Sequence, residues 1–167
     1  MEHFGEKPRK KIYDRKTAKA KAEHYCAYQE RSQQQVRDKL YDYGLHSEEV
    51  EEIISELITE NFINEERFAR AFIGGKFRSK KWGKRKILQQ LYPHQLSKYC
   101  IKKGLEEIGE AEYENTLVEL AQKKRKVIKE TSSYLIQGKL KQYLMGRGFE
   151  PELVRNVVSD LMEKEKH

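Results

Sequence analysis

The sequence predicts an all-α protein of three tandem three-helix repeats forming an elongated, curved array. Apolar residues recur at helical spacing: Val50, Ile53, Ile54, Leu57 and Ile58 lie at i, i+3, i+4, i+7 and i+8 of one segment. The pattern then returns. An offset of 104 carries Leu40, Gly44, Glu48, Val50, Ser55 and Leu57 onto Leu144, Gly148, Glu152, Val154, Ser159 and Leu161, each the same residue type. An offset of 51 carries Val36, Leu40, Leu45, Val50, Ile54 and Leu57 onto Ile87, Leu91, Leu96, Ile101, Leu105 and Ile108, all apolar. A period near fifty residues is longer than the tetratricopeptide and ankyrin units. Stacked copies of such a unit would share apolar faces.

Residues 1–17 read as a basic, flexible arm with Gly5, Pro8 and no apolar stripe. Repeat 1, residues 18–62, opens with a helix over Ala18 to Glu30, where Ala22, Tyr25 or Cys26, and Gln29 share a face. Its second helix, Ser32 to Tyr43, buries Val36, Leu40 and Tyr43 and stops at Gly44. Its third, Ser47 to Glu60, carries the amphipathic stripe given above.

Repeat 2, residues 63–110, starts where Asn64 can cap a helix by accepting from a first-turn amide. Glu65 and Glu66 then lie where the helix dipole favours negative charge, and Ile63 with Phe68 forms a hydrophobic staple. Phe68, Ala71 and Phe72 are the expected buried stripe. Gly74 and Gly75 interrupt it at about 1 kcal/mol each relative to alanine, so that either another helix packs closely there, the favoured reading, or the helix bends. Gln95 stands where the outer repeats have Gly44 and Gly148, so a differently built turn is expected.

Repeat 3, residues 111–167, lines one side of its first helix with Leu117, Leu120, Ala121, Lys124, Val127 and Ile128. Its second helix, Ser133 to Met145, uses Ile136, Leu140, Tyr143 and Leu144. Each copy keeps a staple-like pair before its third helix: Leu45 with Val50, Leu96 with Ile101, and Phe149 with Val154. Pro151 takes a first-turn position.

Of the 167 residues 37% are charged, and the mean hydropathy is −0.94. The apolar runs are too short to span a bilayer and the N-terminus lacks a signal-peptide core, so no membrane partner and a cytoplasmic location are expected. Cys26 and Cys100 make no disulfide framework and no C-x-x-C pair, consistent with a reducing compartment, and read as small core residues. His3, His24, His46, His94 and His167 show no metal-ligand spacing, and no P-loop or nucleophile elbow is present. No metal, no cofactor and no catalytic residue is therefore expected, and the protein reads as a non-enzyme. His24 is expected to be partly buried in its helix.

The net charge of +7 is arranged in blocks. Arg67 to Lys103 holds 12 Lys/Arg and no Asp/Glu, and Lys123 to Gly148 holds 8 against 1. Leu45 to Glu66 holds none against 8, and Gly104 to Gln122 none against 6. Such blocks arise as solvated helix faces that balance one another. They arise equally where basic faces converge on a polyanion and acidic faces meet a basic protein. Lys123, Lys124, Arg125 and Lys126 crowd a single helical turn, a repulsion relieved by solvent or by an anion. Trp82, between Lys81 and Lys84, reads as a packed anchor or as a stacking platform for single-stranded DNA.

NEERFARAFI, with the basic segment and WGKRKILQQL that follow, resembles the central signature of the RecX regulators of the bacterial recombinase RecA. HYCAYQERSQQQVRDKLYDYGL is similar to their opening helices and YLMGRGFEPELVRNVV to their closing repeat. The resemblance implies three degenerate three-helix repeats. It makes Phe68, Ala69 and Phe72 packing positions, Gly83 the opening of the second helix of repeat 2, Arg85 its basic position, and Ile87 and Leu91 its buried face. It further implies a monomeric negative regulator of recombination and the SOS response. Such a protein binds the RecA-type filament on single-stranded DNA and inhibits its ATPase, strand-exchange and coprotease activities. Lys76, Arg78, Lys80, Lys81, Lys84, Arg85 and Lys86, with Lys123, Lys124, Arg125 and Lys126, would then face DNA phosphates or an acidic filament surface, and the acidic third helices a basic protein. A helix-turn-helix-like repressor binding DNA alone is the competing reading, for which Gln89 and Gln90 supply adenine-reading side chains.

Overall fold

The computed structural model describes residues 12–166; residues 1–11, most of the expected basic arm, and His167 lie outside the described residues. Among the described residues there are nine α-helices and no strand. They are α1 (Arg15–Tyr28), α2 (Gln33–Asp42), α3 (Ser47–Thr59), α4 (Glu65–Gly75), α5 (Lys84–Leu91), α6 (Lys98–Leu105), α7 (Glu110–Val127), α8 (Ser133–Gly146) and α9 (Pro151–Glu165). A π-helical turn, Lys76–Lys80, continues α4, and a 3-10 turn, Tyr92–His94, follows α5. The chain divides into two compact units: one runs to residue 68 and includes 93–96, and the other holds 69–92 and everything from 97.

In the first unit α1, α2 and α3 pack on one another. Asp14 accepts from the Thr17 amide at 2.7 Å, and that cap starts α1 three residues earlier than the expected Ala18. Ala18, Ala22 and Cys26 form its buried face, whereas Tyr25 is half-buried and Gln29 and His24 are exposed. Small residues four apart leave room for close helix approach, which is why the stripe falls on the alanines and not on Gln29. Ser32 and Gln35 form a reciprocal capping box at the start of α2. The Ser32 hydroxyl lies 2.7 Å from His94 Nδ1, and the His94 ring stacks obliquely on Phe68 at 4.9 Å, which holds residues 93–96 in this unit. On α3, Val50, Ile53, Ile54 and Leu57 are buried, while Ile58, at the stripe's margin, is 42% exposed. Cations of α1 and α2 meet carboxylates on α3 and at its end: Arg15 reaches Glu56 at 2.7 Å, Lys19 reaches Glu60 at 2.9 Å and Arg37 reaches Glu51 at 2.7 Å.

Asn64 caps α4 as expected, its Oδ1 accepting from the Arg67 amide at 2.9 Å. The buried stripe differs from the expected one. It consists of Phe68, Ala69, Ile73 and, within the π turn, Phe77; Ala71 is exposed and Phe72 half-buried. Packing from α6 sets this choice. A Cβ at Gly104 would come within 2.5 Å of Ile73 Cδ1 and 2.9 Å of the Ala69 carbonyl oxygen, so glycine there admits α4 closely. The close packing expected at Gly74–Gly75 is thus supplied chiefly by the opposing helix. Gly74 is buried beside Arg78 and Glu107, but nothing approaches Gly75.

The second unit is built on α7, α8 and α9, which pack mutually around Leu117, Ala121, Ile136, Leu140, Leu144, Phe149, Val154 and Val158. Val127 is 65% exposed instead of joining the stripe, because α7 ends there and Ile128 turns inward in its place. Tyr143 is half-buried, as are Leu96 and Ile101 of the middle repeat's staple position. The residue three positions before the start of each repeat's third helix is left-handed in all three copies: Gly44 at φ 89°, Gln95 at φ 53° and Gly148 at φ 101°. Gln95 therefore keeps the glycine conformation that its side chain disfavours by about 1 kcal/mol. What differs at that turn is the 3-10 segment leading into it.

The start of α5 is fastened to the α8–α9 turn by a backbone seam. The Gly83 amide donates to the Arg147 carbonyl at 2.8 Å and the Arg85 amide to that of Gly148 at 3.0 Å. A Cβ on Gly83 would lie 2.2 Å from the Gly148 carbonyl carbon, and one on Gly148 only 2.4 Å from Lys86 Cβ. Beneath the seam Phe77, Tyr113 and Phe149 cluster with ring centroids 5.8 and 5.1 Å apart. Tyr113 Oη accepts from the Lys84 amide at 3.0 Å and donates to Glu150 Oε1 at 2.7 Å. Burial, reinforced by Glu150, pushes the phenol above its ordinary range and keeps that donor proton in place.

Gly148→Ala is expected to destabilise by more than about 2 kcal/mol, since a left-handed φ and a backbone clash act together. Gly75→Ala, in open space, is expected to stabilise by roughly 0.5–1 kcal/mol. Urea unfolding of both variants checks the contrast. Tyr113→Phe strands the Lys84 amide and is expected to cost about 1–3 kcal/mol in the same assay.

Candidate polyanion-binding surface

The basic segment is exposed by a change of helical register. α4 tightens into no cap at Gly75; it widens into the π turn, which ends at Lys81 with φ 55° and its amide donating to the Phe77 carbonyl at 2.9 Å. Phe77 points inward, while Arg78, Lys80 and Lys81 are exposed and Lys76 is half-buried. Arg147 clamps the end of this turn by donating to the carbonyls of Lys80 and Lys81. Gly83, Ile87 and Leu91 are buried, and Arg85 lies on the exposed side of α5.

The eleven basic residues are not equivalent. Among the described residues Arg78 is the one of Lys76, Arg78, Lys80, Lys81, Lys84, Arg85 and Lys86 that pairs with a carboxylate, Glu112 at 3.9 Å, and its Nη2 donates to the Glu107 carbonyl at 2.9 Å. Lys84 lies over the Tyr113 ring at 4.7 Å, and Lys76 and Lys86 lie over Trp82 at 5.6 and 4.7 Å. Lys80, Lys81 and Arg85 remain directed to solvent. Arg85 and Lys86 line one wall of a groove, with Gln89, that Met145, Gly146 and Gly148 close on the other side.

Of the second cluster, Arg125 pairs with Glu165 at 2.7 Å and Lys124 lies over Tyr143 at 5.0 Å, leaving Lys123 and Lys126 exposed. Arg147 Cζ approaches the same Tyr143 ring at 5.9 Å. Tyr143 and Arg147 therefore link Lys124 to the Lys80–Lys81 backbone within the second unit. Neither Arg147 nor Tyr143 was among the candidates from sequence; the Gly146-Arg147-Gly148 run, an arginine on a left-handed turn, was the available signal.

The α5 N-terminus does not serve as an anion site. The amides of Gly83, Lys84 and Arg85 are engaged by Arg147, Tyr113 and Gly148, so positive potential there is presented mainly by side chains. No group of three or more His, Cys, Asp or Glu suited to a metal occurs among the described residues, and none of their helices is long and apolar enough to cross a membrane. Burial raises the Cys26 thiol to about 11, which suits packing and not nucleophilic chemistry.

Family models described as the first, second and third three-helix domains of RecX match residues 18–57, 64–105 and 111–158. Regulatory protein RecX of Clostridium botulinum (strain Alaska E43 / Type E3) is 34% identical over 138 residues, covering 81% of this chain and 64% of that protein. Its counterpart in Clostridium beijerinckii is 31% identical over 134 residues, 79% of this chain and 62% of that protein. The chain thus spans a little over six-tenths of the length of these relatives. The crystal structure of RecX from Lactobacillus salivarius shares the fold with a TM-score of 0.80 at 24% identity, covering 88% of this chain and 96% of that one. Three helix triples, matched in order by three domain models over most of the sequence, establish that the chain belongs to the RecX family.

Proposed function

We propose that this chain is a negative regulator of recombination that binds a RecA-type recombinase filament on single-stranded DNA. Through that contact it restrains the filament's ATPase, strand-exchange and coprotease activities. The observation that carries the reading is the exposed basic surface of the second unit within a RecX-family chain, while several acidic residues of α3 are paired within their own unit. Such a surface suits an acidic or phosphate-bearing partner. Three tandem domains allow several contacts per molecule, and each added contact acts at high effective concentration.

The competing repressor reading requires the N-terminal residues of a recognition helix to reach base edges. Here the N-terminus of the eight-residue α5 is packed into the Gly83–Gly148 seam, which disfavours that geometry.

The recombinase's DNA-dependent ATPase, assayed with and without this protein, tests the role. Inhibition is expected. Lys80→Glu, Lys81→Glu and Arg85→Glu together are expected to weaken inhibition by at least about tenfold with helicity unchanged, and the loss should shrink as salt is raised. Absence of any ATPase effect, with tight binding to one duplex sequence, would replace the proposal with the repressor reading.

A further inference from the structure

Trp82 is the chain's one tryptophan, and its surroundings are arranged differently from those of a buried anchor. The ring is half-buried and borne on a short link between the π turn and α5. Both sides of that link are held by one residue. Arg147 donates to the Lys80 and Lys81 carbonyls before Trp82 and accepts from the Gly83 amide after it. The link is therefore held on both sides while the ring is left half-buried. Lys86 Nζ lies 4.7 Å from its centroid and Lys76 Nζ 5.6 Å, and the Lys76 ammonium is also 5.5 Å from the half-buried Phe72 ring.

We propose that Trp82, flanked by Lys76 and Lys86, is a stacking platform for one unpaired base of a single-stranded nucleic acid. A lysine ammonium over a partly exposed ring makes a weak contact on a flexible stem. A base has a flat π-face of similar extent to the indole and displaces the ammonium, which then meets the phosphate on either side of that base. Stacking on an aromatic ring tolerates any base, so the platform distinguishes unpaired from paired strands and not one sequence from another. A duplex offers its phosphates to the same lysines but keeps its bases stacked on each other. Holding the backbone on both sides of Trp82 by Arg147 lowers the ordering cost of the contact. The platform rests on the reading of this face as polyanion-binding and adds to it the recognition of unpaired bases.

Because Trp82 is the sole tryptophan, its emission reports on this position in the unmodified full chain. Titration with a thymidine oligonucleotide should quench it to saturation, while a duplex of the same length and inorganic polyphosphate should leave it nearly unchanged. Trp82→Ala, followed by anisotropy of a labelled thymidine oligonucleotide, should bind about tenfold more weakly with the same dependence on salt, since stacking is lost and phosphate contacts are kept. Trp82→Phe should recover part of that loss, and circular dichroism of both variants separates it from unfolding. Three results would overturn the platform while leaving a phosphate-binding face: equal quenching by polyphosphate, unchanged affinity of Trp82→Ala, or quenching by recombinase alone and not by oligonucleotide. Salt-insensitive binding, or none, to all three probes would overturn the face as well.

Discussion

Everything distinctive about the basic surface depends on the approach of two backbones at Gly83 and Gly148. α5 has eight residues, too few to be stable as an isolated helix, and three of its first six are Lys or Arg. Its position comes from outside: amide-to-carbonyl bonds across the seam, two buried residues on its inner face, and a tyrosine hydroxyl under its first turn. The seam also decides what kind of surface results. By consuming the helix's first amides it removes a fixed anion cradle and leaves flexible cationic side chains. Such side chains follow a phosphate backbone without demanding a sequence.

The alternating charge blocks resolve into two classes. In the first unit the carboxylates of α3 meet Arg15, Lys19 and Arg37, and in the second Glu106 and Glu107 meet Arg70 while Glu165 meets Arg125. Exposed pairs of this kind contribute at most about 1 kcal/mol each, so their effect is less on stability than on the remaining field. They offset part of the acidic blocks locally, while Lys80, Lys81 and Arg85 around the π turn and α5 stay exposed. Paired faces and an exposed basic face, the two halves of one charge pattern, thus lie in different parts of the chain.

Local rules made much of this legible in the sequence. The repeat offsets, the Asn64 cap, the Gly44 stop and the fully buried Phe149–Val154 staple are encoded within a few residues of where they act, and helix existence followed from them. The misread features are those decided by distant neighbours. Ala71 and Phe72 fit the α4 stripe as well by spacing as Ala69 and Ile73, and Gly104, thirty-one residues past Ile73, chose between them. Gln95 looked like a departure because glycine tolerates left-handed φ best, yet the shared turn geometry overrode residue preference. Tyr113 gave no signal, since a tyrosine near a helix start has no periodic mark of a hydroxyl serving two other elements.

The π turn explains how one copy of a degenerate repeat could diverge without losing its fold. A π turn adds a residue to a helical turn, so every side chain after it is rotated relative to the α-helical path, and such insertions recur at functional positions. Here it keeps the four-residue step of the inner stripe from Ala69 through Ile73 to Phe77, then ends at left-handed Lys81 so that Trp82 emerges outward and Gly83 reaches the seam. An uninterrupted α4 would carry the lysines around the helix and toward its buried side. The register change separates two demands on one short sequence: the phenylalanine secures the aromatic cluster beneath the seam, and the cations and the tryptophan stay at the surface.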